Sequence, residues 1–438
     1  MLQNLLITIP AALFALGVIV FVHELGHHLA AKLCGVRVKI FSLGFGTRAW
    51  GFERGGTDYR VSWIPLGGYV RMAGELPEER SGRADDFLSK PRWQRIFVYL
   101  AGPAMNVVLA IALVAGVFAK GSPITTLQST STVIGHVAPD SPAERAGLQV
   151  GDRVVEVAGK PVEQWKDLAF EITVSPEKPV TLVVERADQR FEREVIPEKV
   201  SRYEIGDAGL APRIRLLFVD IRNGMPAEAA GFEAGDEVVR LDGLEIWNPG
   251  NVIDHISSRP GQEILIEVRR DGQLLSIPVV PNDVEGRGLI GVGIDLYSRP
   301  LPLGEAVVAS AYFNVDVVVK TVQIVGKLLR NELAAKNTIS GPIEIAAQSG
   351  EAVRRSFTDL IFFMGFLSIS IAFMNLLPIP ILDGGHITIL LIESALRRDL
   401  SMTLKERITQ VGFVLLMTLM AMVIFFDISR NLPGLLGS

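Results

Sequence analysis

The sequence predicts a multi-span α-helical membrane protein with a small membrane-associated β-sheet and an inserted pair of α+β domains. Apolar residues make up 49% of the 438 residues and charged residues 21%, a mixture that predicts a few membrane spans plus a soluble part. Long apolar runs flank a charged, turn-rich middle section that contains an internal repeat. The net charge of −5 gives no indication of nucleic-acid binding, and the single cysteine, Cys34, excludes an intrachain disulfide.

The first apolar run, residues 5–22, is long enough to cross a bilayer as a helix and leads into the motif HELGH at residues 23–27. No basic segment or cleavage site precedes it, so we expect a retained span over 1–33. Histidines four residues apart share one helix face, which suits two ligands of a tetrahedral zinc ion. Glu24 could take a proton from a water at the metal. Ionisable groups at membrane depth cost about 2–3 kcal/mol each, which disfavours a purely structural role.

A catalytic zinc site needs a third protein ligand and an open position for water. The extended motif of soluble zinc proteases is absent, because Ala30 stands where its glycine would be. The best candidate is Asp383, in the segment NLLPIPILDGGH at residues 375–386, where Pro and Gly interrupt an apolar helix. A fourth ligand would close the site to water, so we favour a packing or supporting role for His386.

The two motifs, HExxH in the first span and N-x-x-P-x-P-x-L-D-G near the end, are similar to those of the site-2 protease family of intramembrane zinc metalloproteases. The layout looks most like the regulator-of-sigma-E proteases within that family, and the resemblance covers essentially the whole chain. It implies zinc held by His23, His27 and Asp383, Glu24 as catalytic acid/base, and Asn375 holding the substrate backbone. It also implies a bacterial inner-membrane protein whose substrates are single-span membrane proteins, such as a trimmed anti-sigma factor, and leftover signal peptides.

The segment over 34–75 is predicted to form a small sheet beside the metal. Residues 36–40 and 59–63 alternate like strands, and glycine-rich turns separate them. Seven Lys and Arg residues lie between positions 32 and 71, so the positive-inside rule places this segment in the cytoplasm and the N-terminus outside. The resemblance implies a re-entrant β-structure, and a plain surface hairpin is the alternative.

Three further spans are expected, over 95–120, 357–392 and 408–427. The second contains Gly102-Pro103 and Asn106. A lone Asn among small residues usually indicates close helix packing, and the alternative is that Asn106 faces the active-site cavity.

The segment over 303–352 decides the topology. It is apolar but is interrupted by charged residues such as Asp316 and Lys320. If it crossed the membrane, Asp383 would lie on the opposite side from the two motif histidines. We therefore expect interfacial, non-spanning amphipathic helices, an active site toward the cytoplasm and a periplasmic insert.

The insert contains a repeat, because SPAERAGLQVGDRV at 141–154 matches MPAEAAGFEAGDEV at 225–238. Each copy predicts a short helix ended by Gly, a turn, and then Gly-Asp before a strand. The pattern resembles tandem PDZ domains, over 124–200 and 213–285. Such domains can bind extended peptides by strand addition, and a steric gate over the membrane domain is an equally weighted alternative.

Two other classes of function compete with a protease. A catalytically silent PDZ scaffold would not need the carboxylate of Glu24. A metal transporter should show several intramembrane ligand clusters along a path, and the sequence shows one.

Overall fold

The computed structural model describes residues 2–79, 81–122, 130–246, 249–296, 298 and 300–436. The chain divides into two compact units. A membrane unit comprises residues 1–119, 302–329 and 334–438, and an insert unit comprises residues 120–301 and 330–333. The predicted start of the first inserted domain, at 124, lies outside the described residues.

Helices form most of the membrane unit. They are α1 (Leu2–Leu33), α2 (Arg92–Lys120), α7 (Leu303–Leu329), α8 (Ala335–Thr338), α9 (Pro342–Arg355), α10 (Phe357–Leu376), α11 (Asp383–Leu396) and α12 (Met402–Leu436). Among the described residues, five helices are long and apolar enough to cross a membrane: α1, α2, α7, α10 and α12. Four of these overlap the predicted spans. The fifth, α7, was predicted to be interfacial, and its position relative to a bilayer stays a prediction.

The predicted break in the third span is present, and it separates two helices. Helix α10 ends at Leu376, and α11 begins at Asp383. Between them the chain turns tightly: the Ile379 N–H donates to the Leu377 carbonyl at 2.7 Å, and the Leu382 N–H donates to the Ile379 carbonyl at 3.1 Å. Prolines at 378 and 380 lack the N–H that a continuous helix would need, which explains the break.

The first half of α7 packs against the bundle. The Ser310 hydroxyl donates to the Ile111 carbonyl on α2 at 2.9 Å. The Phe313 ring contacts Phe118 of α2 and Phe362 of α10, with centroids 6.2 and 5.2 Å away.

The predicted sheet is present, built from β1 (Val38–Arg54) and β2 (Thr57–Met72). The two strands pair antiparallel overall, but the register shifts several times along their length. Residues 38–43 face 68–72 and also 58–61, while 48–54 face 57–62. The sheet therefore has four segments, and within the described part of the chain the segment 68–72 has a sheet partner on one side only. Trp50 and Trp63 are 70% and 72% exposed, and insertion of this sheet into the membrane stays a prediction.

The insert unit contains two α+β modules, each with its own apolar core. The first consists of β3 (Ile134–Val137), α3 (Pro142–Arg145), β4 (Arg153–Val157), β5 (Lys160–Pro161), α4 (Trp165–Thr173), β6 (Val180–Arg186), β7 (Gln189–Val195), β8 (Glu198–Val200), β9 (Ile205–Asp207) and β10 (Leu210–Pro212). The second consists of β11 (Leu216–Ile221), α5 (Pro226–Ala230), β12 (Glu237–Leu241), β13 (Leu244–Glu245), α6 (Pro249–Ser257), β14 (Ile264–Arg270), β15 (Gln273–Val279), β16 (Asn282–Val284), β17 (Arg287–Leu289) and β18 (Val292–Leu296).

The closing strand of each module lies beyond the predicted domain end. Strand β10 pairs with β3, and β18 pairs with β11, so the modules extend past the predicted ends at 200 and 285. In each case a late strand returns to pair with the first strand of its module. Local sequence patterns do not encode such long-range pairing.

The sequence repeat is also a structural repeat. In the first module, Arg186 Nε donates to the buried Asp152 carboxylate at 2.6 Å, and its NH2 group donates to the Gly147 carbonyl at 2.9 Å. In the second module, Arg270 makes the same pair of bonds to the Asp236 carboxylate and the Gly231 carbonyl, again at 2.6 and 2.9 Å. The interpretation of both modules as PDZ domains stays a prediction.

Candidate metal centre

Three predicted ligands meet although they come from opposite ends of the chain. His23 and His27 lie one turn apart on α1, and Asp383 opens α11. The two Nε2 atoms are 3.1 Å apart. His23 Nε2 lies 3.2 Å from Asp383 Oδ2, and His27 Nε2 lies 3.4 Å from Asp383 Oδ1. The three side chains keep only 10–14% of their surface exposed, so the cluster is largely buried.

The spacing of these atoms fits a small tetrahedral cation. Zinc binds imidazole nitrogen and carboxylate oxygen at about 2.0–2.2 Å, and tetrahedral angles then separate neighbouring ligand atoms by about 3.4 Å. The three observed separations, 3.1, 3.2 and 3.4 Å, lie close to that value. Within the described residues this is the only group of three or more His, Cys, Asp or Glu side chains compact enough to hold a metal.

A hydrogen bond prepares His27 for ligation. Its Nδ1–H donates to the Val98 carbonyl on α2 at 2.8 Å. A neutral imidazole carries one proton, so this bond leaves the Nε2 lone pair free to face Asp383 and His23. Such a carbonyl partner fixes both the tautomer and the ring orientation of a histidine ligand.

Gly102 allows α2 to pass directly against both imidazoles. A Cβ atom at this position would lie 2.3 Å from His27 Nε2 and 2.9 Å from His23 Cε1, closer than real Cβ contacts. Only a residue without a side chain fits there. The Gly-Pro pair in the second predicted span therefore has a packing role next to the metal cluster.

The edge segment 68–72 of the sheet lies beside Glu24. A Cβ at Gly68 would be 3.1 Å from Glu24 Cγ, which shows how closely the backbone approaches. The Glu24 carboxyl group also interacts with the Val70 backbone N–H. The strand edge that has no sheet partner in the described part of the chain thus borders the same space as the Glu24 carboxylate.

All five predicted site residues line one cavity of about 280 Å³. Its lining consists of His23, Glu24, His27, Gly68, Tyr69, Val70, Met72, Glu75, Tyr99, Asn375, Ile381, Leu382, Asp383 and His386. The structure therefore brings together the HExxH motif, the edge segment and the broken helix. A general base, a metal-ligand cluster and a strand edge around one cavity could together hold and hydrolyse an extended peptide.

Several cavity residues were not singled out from the sequence, among them Glu75 and Tyr99. Glu75 follows the edge segment, and its carboxylate accepts a hydrogen bond from the Met72 N–H at 3.1 Å. Burial raises the pKa of the Glu75 carboxyl group, and that hydrogen bond opposes the shift. A carboxylate at the end of the predicted sheet segment 34–75 could have signalled Glu75, whereas nothing distinguishes Tyr99 from other residues of an apolar span.

Two polar residues whose roles were open lie next to the cluster. The His386 ring stacks on Tyr99, with centroids 4.8 Å apart and planes 8° apart, which fits the expected packing role. Asn106 is completely buried, and its Nδ2 lies 3.5 Å from His23 Nδ1. His28, outside the cluster, packs against the sheet, with Nε2 3.1 Å from the Tyr59 hydroxyl.

Known proteins resemble the chain over nearly its full length. The family model described as peptidase family M50 matches residues 11–419. A putative zinc metalloprotease of Vibrio cholerae is 32% identical over 460 residues, covering 96% of this chain and 98% of the relative. Regulator of sigma-E protease RseP of Escherichia coli is 31% identical over 443 residues, covering 95% and 97%.

Among solved structures, the PDZ domain of an SdrC-like protein from Listeria monocytogenes matches with 22% identity and a TM-score of 0.17. That match covers 18% of this chain and 85% of the other.

Both the family match and the two bacterial relatives span the HExxH motif, the insert and the Asp383 segment together. The chain therefore belongs to peptidase family M50, the site-2 protease family, and is a zinc metalloprotease of that family.

Proposed function

We propose that this protein is an intramembrane zinc endopeptidase that cleaves the transmembrane segments of single-span membrane proteins. The observation that carries the proposal is the convergence of His23, His27 and Asp383 within apolar helices, with Glu24 lining the same cavity. When bound, zinc supplies Lewis-acid polarisation of the scissile carbonyl and a water of lowered pKa. Glu24 takes the proton of the attacking water and passes it to the leaving amine.

The substrate must be extended at the cleavage site, because the peptide bonds of a helix are shielded by its own turns. Among the described residues, segment 68–72 has a sheet partner on one side only, and an extended chain could add to its other edge. Asn375 lines the same cavity and can hold the substrate backbone through its amide. Together they would hold the substrate chain extended, with its scissile peptide bond beside Glu24.

The substrate class and the orientation rest on the relatives and on charge. The Escherichia coli relative is named as a regulator of sigma-E protease, which supports a membrane anti-sigma factor, trimmed on its outer side, as one substrate. Leftover signal peptides are a second proposed class. Basic residues after the first span and between 397 and 407 favour a cytoplasmic active site and a periplasmic insert in a bacterial inner membrane.

The insert has two proposed roles that carry about equal weight. Its modules could bind an extended peptide by strand addition, or they could restrict access by size, so that only substrates with a small outer part reach the cavity. Deletion of the insert tests the size restriction.

The decisive experiment uses Glu24→Gln, which preserves the shape of the side chain and removes the base. Purified protein is reconstituted with a labelled single-span reporter substrate, and bound metal is measured in the same sample. We expect cleavage to fall by at least about 100-fold, the usual contribution of a general base, while zinc stays bound. Glu78→Gln, at an exposed position outside the cavity, is the matched control. Cleavage by Glu24→Gln at a rate comparable to wild type would show that the assigned mechanism is wrong.

A further inference from the structure

Asn106 is a buried amide whose oxygen has no partner. It lies on α2 with no exposed surface, and its Oδ1 has no hydrogen-bond partner among the described residues. Its Nδ2 lies 3.5 Å from His23 Nδ1. Its backbone carbonyl accepts a hydrogen bond from the Ser368 hydroxyl of α10 at 2.8 Å, which anchors this part of α2. A buried, unpaired amide oxygen is costly, so a donor should be available to it in the functional state.

The His23 ring supplies that donor. If Nε2 binds the metal, the single proton of a neutral imidazole must sit on Nδ1, which then needs an acceptor. The side-chain amide of Asn106 is the polar group beside that nitrogen. Rotation of the amide by half a turn exchanges its oxygen and nitrogen with almost no change of shape. Oδ1 then accepts from His23 Nδ1–H.

The two histidines would then be supported in the same way and from the same helix. His27 Nδ1 already donates to the Val98 carbonyl. Val98, Gly102 and Asn106 follow one another at intervals of four residues, so they lie along one face of α2. The outer two provide acceptors, and Gly102 between them provides the space for both rings.

We infer that Asn106 is a positioning residue that holds His23 in its metal-binding tautomer by accepting a hydrogen bond from Nδ1–H. The inference rests on the proposed role of His23 as a ligand. It assigns to Asn106 a contact with a ligand rather than a packing role alone. The amide oxygen of Asn106 accepts this hydrogen bond, and the amide nitrogen is not needed for it.

The test measures zinc affinity of the metal-free, full-length protein in detergent by competition with a chelator. Asn106→Leu, similar in size but without an acceptor, should bind zinc about 10- to 100-fold more weakly, the usual effect of removing such a partner. Asn106→Asp keeps an acceptor oxygen at the same place and should stay close to wild type. Asn106→Ala removes the acceptor without adding bulk. It replaces the Leu variant in the zinc-affinity measurement if that variant does not fold.

A matched control is Asn314→Leu. Asn314 is a second buried amide of the membrane unit, and its Nδ2 donates to the Ser310 carbonyl at 2.8 Å. Its loss should lower thermal stability without weakening zinc binding. Wild-type affinity in Asn106→Leu and Asn106→Ala would overturn the inference, and so would an Asp variant as weak as the Leu variant. If His23→Ala binds zinc as tightly as wild type, the proposed metal site itself is wrong, and the inference falls with it.

Discussion

Gly102→Ala is the smallest change that should disable the metal centre. The added Cβ would lie 2.3 Å from His27 Nε2, whereas ordinary contacts begin at 3.4 Å. The ring or the helix must therefore move by about 1.1 Å to restore a normal contact. Metal sites tolerate deviations of only about 0.2 Å in ligand distance, so a shift of this size removes His27 from the set.

The expected loss is large because two ligands are affected at once. The same Cβ would lie 2.9 Å from His23 Cε1, so both imidazole rings would be displaced from their positions. We expect zinc affinity to fall by more than the roughly 100-fold that loss of a supporting hydrogen bond costs. Overpacking of this kind also costs about 1–3 kcal/mol of folding free energy.

The assay compares bound zinc and cleavage of the reporter substrate in Gly102→Ala and Gly116→Ala. Gly116 lies on the same helix, and an added Cβ there meets no atom within 4 Å. Both substitutions gain similar helix propensity, so only steric contact with the histidines separates them. Full zinc occupancy and normal cleavage in Gly102→Ala would refute the close approach of α2 to the metal cluster.

Three other predictions test the third metal ligand, the stability of the first inserted module and the role of the insert. Asp383→Asn should lower zinc content as well as activity, because two histidines are too few for a tight site, whereas Asn375→Ala should lower activity with zinc retained; full occupancy and normal turnover in Asp383→Asn would remove it from the ligand set. Arg186→Met removes the charged partner of the buried Asp152 carboxylate and should destabilise the first module by about 3 kcal/mol, seen as faster proteolysis of the full chain than with exposed Arg190→Met. Replacing residues 121–300 by a short linker should permit cleavage of untrimmed substrates if the insert restricts access by size, and unchanged discrimination would leave the modules as peptide binders or as spacers.

The sequence alone predicted the parts of the molecule that depend on local geometry. The spacing of His23 and His27 places them on one face of any helix, so two of the three metal ligands could be predicted directly from the sequence. Prolines and glycines around Asp383 indicated a broken helix, because the backbone chemistry of those residues is itself local. The 141–154 repeat likewise predicted two equivalent modules, and the matching arginine–carboxylate bonds agree with it.

The meeting of Asp383 with the histidines could be predicted only by assuming a shared metal ion, since Asp383 lies 356 positions after His27 in the chain. The tertiary structure supplied the remaining contacts. It placed Asn106 beside His23, Gly102 against both rings, and Glu75 and Tyr99 in the cavity wall. It also extended each module to a closing strand that pairs with its first strand. Periodicity constrains the conformation of neighbouring residues, whereas these contacts depend on how distant segments pack, and no local pattern encodes that.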